Sequence, residues 1–220
     1  VLKVFRPGWQ GAQDITIQRR QIQVPAVNSA MIPGEVGYIE LINFSANLAE
    51  ELGGAIRSLQ ERGAKGLVLD VRNNTGGFLN EARDVVEMFV EGRKLVVYTQ
   101  GPAEDRRDYL TRNRAITNLP LAVLVNNLSA SASEITAGAL QDHNRAVVIG
   151  ERSYGKGSVQ NMMPLASDPS EEFEDLNQDG VWQEGEPYTD RNGNKKFDVG
   201  AHIKLTVAKY YLPSGRCPHR

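Results

Sequence analysis

Cysteine is almost missing from this chain: Cys217 is the only one in 220 residues. An internal disulfide framework is thereby excluded, and a chain of this length can bury a sufficient core without covalent staples. Long hydrophobic runs are missing too. Every apolar stretch is far shorter than the roughly 20 residues that a membrane-spanning helix needs, so none is read as a span. Neither charge sign is in large excess: 27 acids stand against 25 bases, a formal net charge of -2. A nucleic-acid binder would normally show a strong basic excess, so no nucleic-acid partner is expected. Histidine is scarce, with only His143, His202 and His219, which narrows the choice of catalytic bases. The chain opens at Val1 without a methionine and reads as an excerpt of a longer one.

What is present is mostly periodic. Residues 1–24 hold two alternating runs, Leu2 to Arg6 and Ile15 to Ile17, around a Pro7-Gly8 break, which reads as a hairpin. From Pro25 onward, strand-like runs at 36–41, 66–71, 95–98, 121–125, 146–149 and 203–212 alternate with helical patterns. The first helix is expected to be capped by Asn43 or Ser45 and to end at Gly63, with Leu48, Leu52, Ile56 and Leu59 on one face. Two more helices are expected over 79–91 and 131–140. This order predicts an α/β layered core.

Charge is unevenly spread. Residues 168–198 hold ten acids and three bases, so they contribute -7 and the rest of the chain +5. The stretch has little apolar periodicity and lies between two strand-like segments, so it reads as a solvated insertion within the core. Inside it, Asp175-Leu-Asn177-Gln-Asp179-Gly180-Val181-Trp-Gln-Glu-Gly-Glu186 matches the D-x-[DN]-x-[DN]-G-x5-E calcium-loop pattern. A hard cation wants six to eight oxygens, which alternate side chains, the Val181 carbonyl and a bidentate Glu186 would supply. A second, weaker set is Asp190, Asn192, Asn194 and Asp198, with Lys195 where glycine would be wanted. Calcium, as a structural ion ordering the insertion, is the expected cofactor.

The segment Val125-Asn-Asn-Leu-Ser129-Ala-Ser131-Ala132-Ser-Glu134-Ile runs an apolar strand into small residues and a helix start. A serine there sits beside free backbone N–H groups and the positive end of a helix dipole, the ingredients of a nucleophile next to an oxyanion hole. Alone, such a serine reads first as an N-cap among small residues that allow close packing. It needs a base. His143 lies about twelve helical residues beyond Ser131, roughly 18 Å at 1.5 Å per residue. His202 and His219 have no acidic orienter nearby in sequence. Lys156, between Gly155 and Gly157, is the alternative; its pKa must fall from about 10.4 to roughly 7–8, as desolvation in a closed site can impose.

These residues carry a resemblance. Asp70-Val-Arg72-Asn-Asn-Thr75-Gly76-Gly77, Ser129-Ala-Ser131-Ala-Ser-Glu134, Gly155-Lys156-Gly157-Ser-Val-Gln160 and Lys209-Tyr-Tyr-Leu-Pro213-Ser-Gly-Arg216 resemble the motifs of the carboxy-terminal processing (tail-specific) proteases. The resemblance implies a crotonase-like α/β protease core over 25–216, interrupted by the insertion at 168–198. It implies that residues 1–24 are the last strands of a PDZ domain. It implies a Ser–Lys dyad with the lysine 25 residues after the serine, which selects Ser131 with Lys156. Gln160 would orient the lysine amine, while Ala132 and one of Gly76 and Gly77 would donate to the oxyanion. Glu134 and Asp142 match acidic positions of the family and are expected to support the helix. Leu128 and Thr75 depart from the family's common glycine and proline beside the oxyanion wall.

The implied function is a serine endopeptidase cleaving near the C-termini of protein substrates with apolar tails. The implied location is extracytoplasmic, in a bacterial periplasm or cell envelope, with membrane proximity in the longer protein. The alternatives are a catalytically inactive relative that binds peptides or hydrophobic ligands, and an acyl-CoA enzyme sharing the fold.

Overall fold

A computed structural model describes residues 1–17, 24–102, 104–165, 168–176 and 180–219. Among the described residues, alternation and 3.6-residue periodicity resolve into three sheets and three helices. At the start, β1 (Leu2–Val4) pairs antiparallel with β2 (Gln13–Ile15). This hairpin leaves Leu2, Phe5, Ile15 and Ile17 exposed.

The central sheet has five strands in the order β3 (Val27–Ile32), β4 (Val36–Leu41), β5 (Gly66–Asp70), β8 (Leu121–Val125) and β9 (Val147–Gly150). The β3–β4 pair is antiparallel; β4, β5, β8 and β9 run parallel. A four-stranded antiparallel sheet, ordered β10 (Ser158–Pro164), β11 (His202–Tyr211), β6 (Leu95–Gly101) and β7 (Glu104–Leu110), forms a second layer. The architecture is mixed α/β.

The helices α1 (Leu48–Glu61), α2 (Leu79–Glu87) and α3 (Ala132–Asp142) supply the packing between these layers. Helix α1 lies on β3 and β4, and both α2 and α3 reach β6. Leu48, Leu52, Ile56 and Leu59 recur at three- and four-residue spacing and are all fully buried, in one core cluster with Ile39, Leu69 and Val123 of the sheet. Each such side chain contributes about 1.5–3 kcal/mol on burial.

Some boundaries and strands differ from expectation. The residue at the N-cap of α1 is Asn47, without a side-chain cap, because Asn43 Oδ1 is engaged by the Ser45 N–H and Ser45 Oγ donates to Asn47 Oδ1. Helix α2 stops at Glu87 rather than at 91. Strands β3, β7 and β10 carry no alternation strong enough to announce them; β7 reads Glu-Asp-Arg-Arg-Asp-Tyr-Leu.

The insertion joins β10 to β11 and occupies the tip of that hairpin. It is packed around its own aromatics: Trp182 stacks on Phe197 at 4.8 Å between centroids, with Tyr188 and Phe173 edge-on to Phe197 at 5.8 and 5.5 Å. Isolated Phe173 and Tyr188 also form a β-bridge. The expected unpacked loop therefore has a small core, which scattered single aromatics do not reveal as a periodic pattern.

Candidate active site

Neighbouring parallel strands deliver their C-terminal ends to the same edge, where α/β sheets usually hold their sites. Strand β5 runs into residues 71–78 and β8 into residues 126–131, and the two connections are zipped together. Ser129 Oγ donates to the Val71 carbonyl at 2.7 Å, and the Ala130 N–H and Ser133 Oγ both donate to the Asn74 carbonyl at 3.1 and 2.9 Å. Asn126 Nδ2 donates to Asn73 Oδ1, while the Asn73 N–H returns to Asn126 Oδ1. The outer two serines of the 129–133 run are thus structural and fully buried, which leaves Ser131 as the one facing a cavity.

Ser131 is the N-cap residue of α3 and has φ 57° and ψ -114°. A left-handed conformation in a non-glycine residue costs on the order of 1–3 kcal/mol and persists only where neighbours enforce it. Glu134 is the enforcing neighbour. Its Oε2 accepts the N–H groups of Ser131 and Lys156, both at 2.9 Å. Its Oε1 accepts Ser153 Oγ and the Gly155 N–H, both at 2.7 Å. At 5 % exposure, this carboxylate is a buried clasp between the start of α3 and the loop that carries Lys156. It does more than support the helix: besides the capping-box bond back to Ser131, its other three partners lie 19 to 22 residues downstream, beyond any helix-capping pattern.

The facing wall is the Gly76-Gly77 turn. Gly76 has φ 94°, and a Cβ there would stand 2.7 Å from the Ala130 carbonyl oxygen and 2.8 Å from the Ala132 nitrogen. The Gly76 N–H is committed to Asn74 Oδ1 at 2.9 Å. Among the described residues the N–H groups of Gly77 and Ala132 have no acceptor, and both residues line the cavity beside Ser131. Thr75 is exposed and Leu128 is half exposed; neither lines this cavity.

The cavity encloses about 320 Å³. It gathers Ser131, Ala132, Gly77, Lys156 and Gln160, contributed by α3, two loops and β10, with Leu79, Ile135 and Val159 as its apolar wall. The Lys156 side chain is exposed. Its carbonyl accepts the Tyr210 hydroxyl, which sequence reasoning left without a role although it sits in a quoted motif. Tyr210 is only 2 % exposed. Burial, with the Glu134 carboxylate close by, pushes its phenol well above the ordinary tyrosine range. His143 caps the far end of α3 and meets the Leu95 carbonyl at 2.7 Å, remote from Ser131 as the helix length requires.

Two further pairs brace the site. Asp70, at the end of β5, receives Arg72 Nη2 at 2.6 Å and the Tyr38 hydroxyl at 2.7 Å. Desolvation opposes its ionisation, but these donors outweigh it and hold the carboxyl below its usual range. Asp142, at the end of α3, is likewise held low against desolvation, by Ser214 and then Arg216. It thereby ties the Pro213-Ser214-Gly215-Arg216 turn to the helix.

Of the expected calcium ligands, Asn177 and Asp179 lie outside the described residues. Asp175 Oδ2 accepts the Gly180 N–H, and Asp190 Oδ2 accepts the Lys195 N–H, so both loops close in the same way. Lys195 adopts φ 62°, the conformation Gly180 has at the equivalent place with φ 75°. Glu186 accepts the Leu176 and Gln183 N–H groups. Asp198 accepts the Asn192 and Asn194 side-chain amides at 2.6 and 2.7 Å, and the Val181 side chain is exposed. Among the described residues no three His, Cys, Asp or Glu side chains converge as metal ligands would.

Residues 35–220 match the model of the peptidase family S41. The chain is 39 % identical over 223 aligned residues to a carboxyl-terminal-processing protease of Synechocystis sp., covering all of this chain and 44 % of that one. It is 33 % identical to the carboxy-terminal processing protease CtpA of Bacillus subtilis, covering 96 % of this chain and 38 % of that one. Among solved structures, a photosystem II D1 C-terminal processing protease superposes with TM-score 0.68 at 28 % identity, covering 95 % of this chain and 49 % of that one. The chain therefore spans less than half the length of these relatives, and it belongs to the peptidase family S41.

Proposed function

We propose that this chain is the catalytic core of a serine endopeptidase that processes the C-terminal tails of proteins through a Ser131–Lys156 dyad. One observation carries the reading: Ser131, Lys156, Gln160 and two unpaired N–H groups line a single cavity. Ser131 Oγ attacks the scissile carbonyl carbon as Lys156 Nζ takes its proton. The oxyanion is held by the Gly77 and Ala132 N–H groups, since that of Gly76 is occupied. Lys156 then protonates the leaving amine, and water attacks the acyl-enzyme, regenerating Ser131. Gln160, the third residue of β10 and four residues beyond Lys156, positions the amine. Lys156 is exposed here; a bound peptide would cover and desolvate it, which favours the neutral amine a base must be. The apolar wall fits the tails expected from the sequence.

The test is cleavage of an unstructured, apolar-tailed protein. Ser131→Ala and Lys156→Ala should each lower the rate by at least about a thousandfold, and a fluorophosphonate should label Ser131. Unchanged cleavage in both variants would refute the assignment. The exposure of Lys156 favours a second reading, in which this chain alone binds tails without cutting them; labelling of Ser131 separates the two.

The same reading takes the core as crotonase-like and the β1–β2 hairpin as the end of a PDZ domain, consistent with the greater length of the relatives. It takes the insertion as calcium-ordered, supported by the oxygen-rich spacing and by the matching closure of its two loops. Such isolated loops fill where calcium is abundant, in keeping with an extracytoplasmic location. Calcium at a hundredfold over its Kd should stabilise the fold by about 2.7 kcal/mol. Identical melting in calcium and in EGTA would remove the ion from the account.

A further inference from the structure

Lys204 lines the same cavity as Ser131 and Lys156, and nothing above uses it. It stands opposite Met162 in the β10–β11 register, as Thr206 stands opposite Gln160, so the hairpin stem that positions Gln160 also carries Lys204 to the cavity. It is exposed and has no ion-pair partner among the described residues. The described lining contains two lysines and no carboxylate, although the chain as a whole is slightly acidic. A cleft walled by one sign of charge attracts the other. When Lys156 gives up its proton to serve as base, Lys204 is the positive charge that remains.

We propose that Lys204 is a carboxylate subsite on the leaving-group side of the scissile bond, resting on the proteolytic reading of this cavity. A free α-carboxylate lies only on the C-terminal side of any bond cut. Lys204 and Ser131 line the same cavity of about 320 Å³, so the carboxylate recognised sits within a few residues of the scissile bond: an α-carboxylate at the end of the chain, or an acidic side chain near it.

The probe is an alanine- and valine-rich heptapeptide with an N-terminal fluorophore, made as free acid, as amide, and as amide with glutamate in the last position. Binding is read by anisotropy to the Ser131→Ala protein, so no turnover is needed. At least one carboxylate-bearing peptide should bind about tenfold more tightly than the plain amide, the scale of a charge-assisted hydrogen bond; which one does so identifies the source of the carboxylate. In Ser131→Ala with Lys204→Met the preference should shrink to within twofold, and with Lys204→Arg it should largely persist. Raising the salt from low to high ionic strength should also narrow it. Equal binding of all three peptides, no binding of any, or a preference that survives Lys204→Met would overturn the subsite. Persistent cleavage by Ser131→Ala would instead overturn the proteolytic reading, so the two failures are distinguishable. Lys204 is exposed, and matched melting curves establish that the variants fold.

Discussion

Replacing Glu134 by glutamine is the sharpest probe of how this site is held. The change is nearly isosteric, but it turns one acceptor oxygen into an NH₂ group facing two N–H or O–H donors. If the oxygen stays toward Ser153 Oγ and the Gly155 N–H, then the Ser131 and Lys156 N–H groups lose their acceptor; the other flip reverses the loss. Hydrogen bonds to charged groups contribute about 1.5–3 kcal/mol, and a buried donor left unpaired costs about 1–3 kcal/mol. Two such losses, partly relieved by movement, give a destabilisation of about 2–4 kcal/mol. For a domain of this size that corresponds to a Tm lowered by roughly 4–16 °C. The damage is directed, because the clasp holds both the left-handed Ser131 and the lysine loop. The kcat for a tail peptide should fall about a hundredfold, equivalent to about 2.7 kcal/mol of barrier, with KM changed little. Calorimetry and steady-state kinetics read the two effects separately. A variant within 1 °C and within twofold of the parent in kcat would show that Glu134 does not organise the site.

Other expected outcomes follow from the same geometry. Gly77→Ala would drive a Cβ into the Phe44 carbonyl and swing the Gly77 N–H away, so kcat should fall about 100- to 1000-fold, the range for one lost oxyanion donor. At alkaline pH, Tyr210 resists ionisation only while folded. Its contribution is therefore intact below its unfolded pKa of about 10 and is lost above it, at up to about 1.4 kcal/mol per pH unit; urea unfolding of Tyr210→Phe should lack that added slope. Asp70 and Asp142 have the opposite sign. Their folded values lie low, so their stabilisation is present above the unfolded pKa of about 3.9 and disappears as pH falls below it. Asp142→Asn should flatten the acid limb of the same curve.

Helix α1 was among the most legible elements because it buries one face: Leu48, Leu52, Ile56 and Leu59 announce it as plainly as Leu67 and Leu69 announce β5. Strands β7 and β10 were not legible. β7 directly follows its partner β6, whereas β10 meets β11 only across the insertion; both are edge strands, and an edge strand needs no apolar alternation to satisfy its backbone. The aromatic core of the insertion was hidden for a related reason, since Phe173, Trp182, Tyr188 and Phe197 meet only when the loop folds back.

By itself, the order of residues determined the α/β alternation, the acidic insertion and the motif set around Ser131 and Lys156, because local periodicity and spacing are written along the chain. Tertiary structure alone decided which groups meet. It buried Ser129 and Ser133 and turned Ser131 to the cavity, committed the Gly76 N–H to Asn74, made Glu134 a clasp, and brought Lys204 to the cavity that Ser131 and Lys156 line. The physical reason is reach: a hydrogen bond spans about 3 Å, while the partners that join the connections after β5 and β8 lie up to 59 residues apart, and only the packing of β5, β8 and α3 closes that distance.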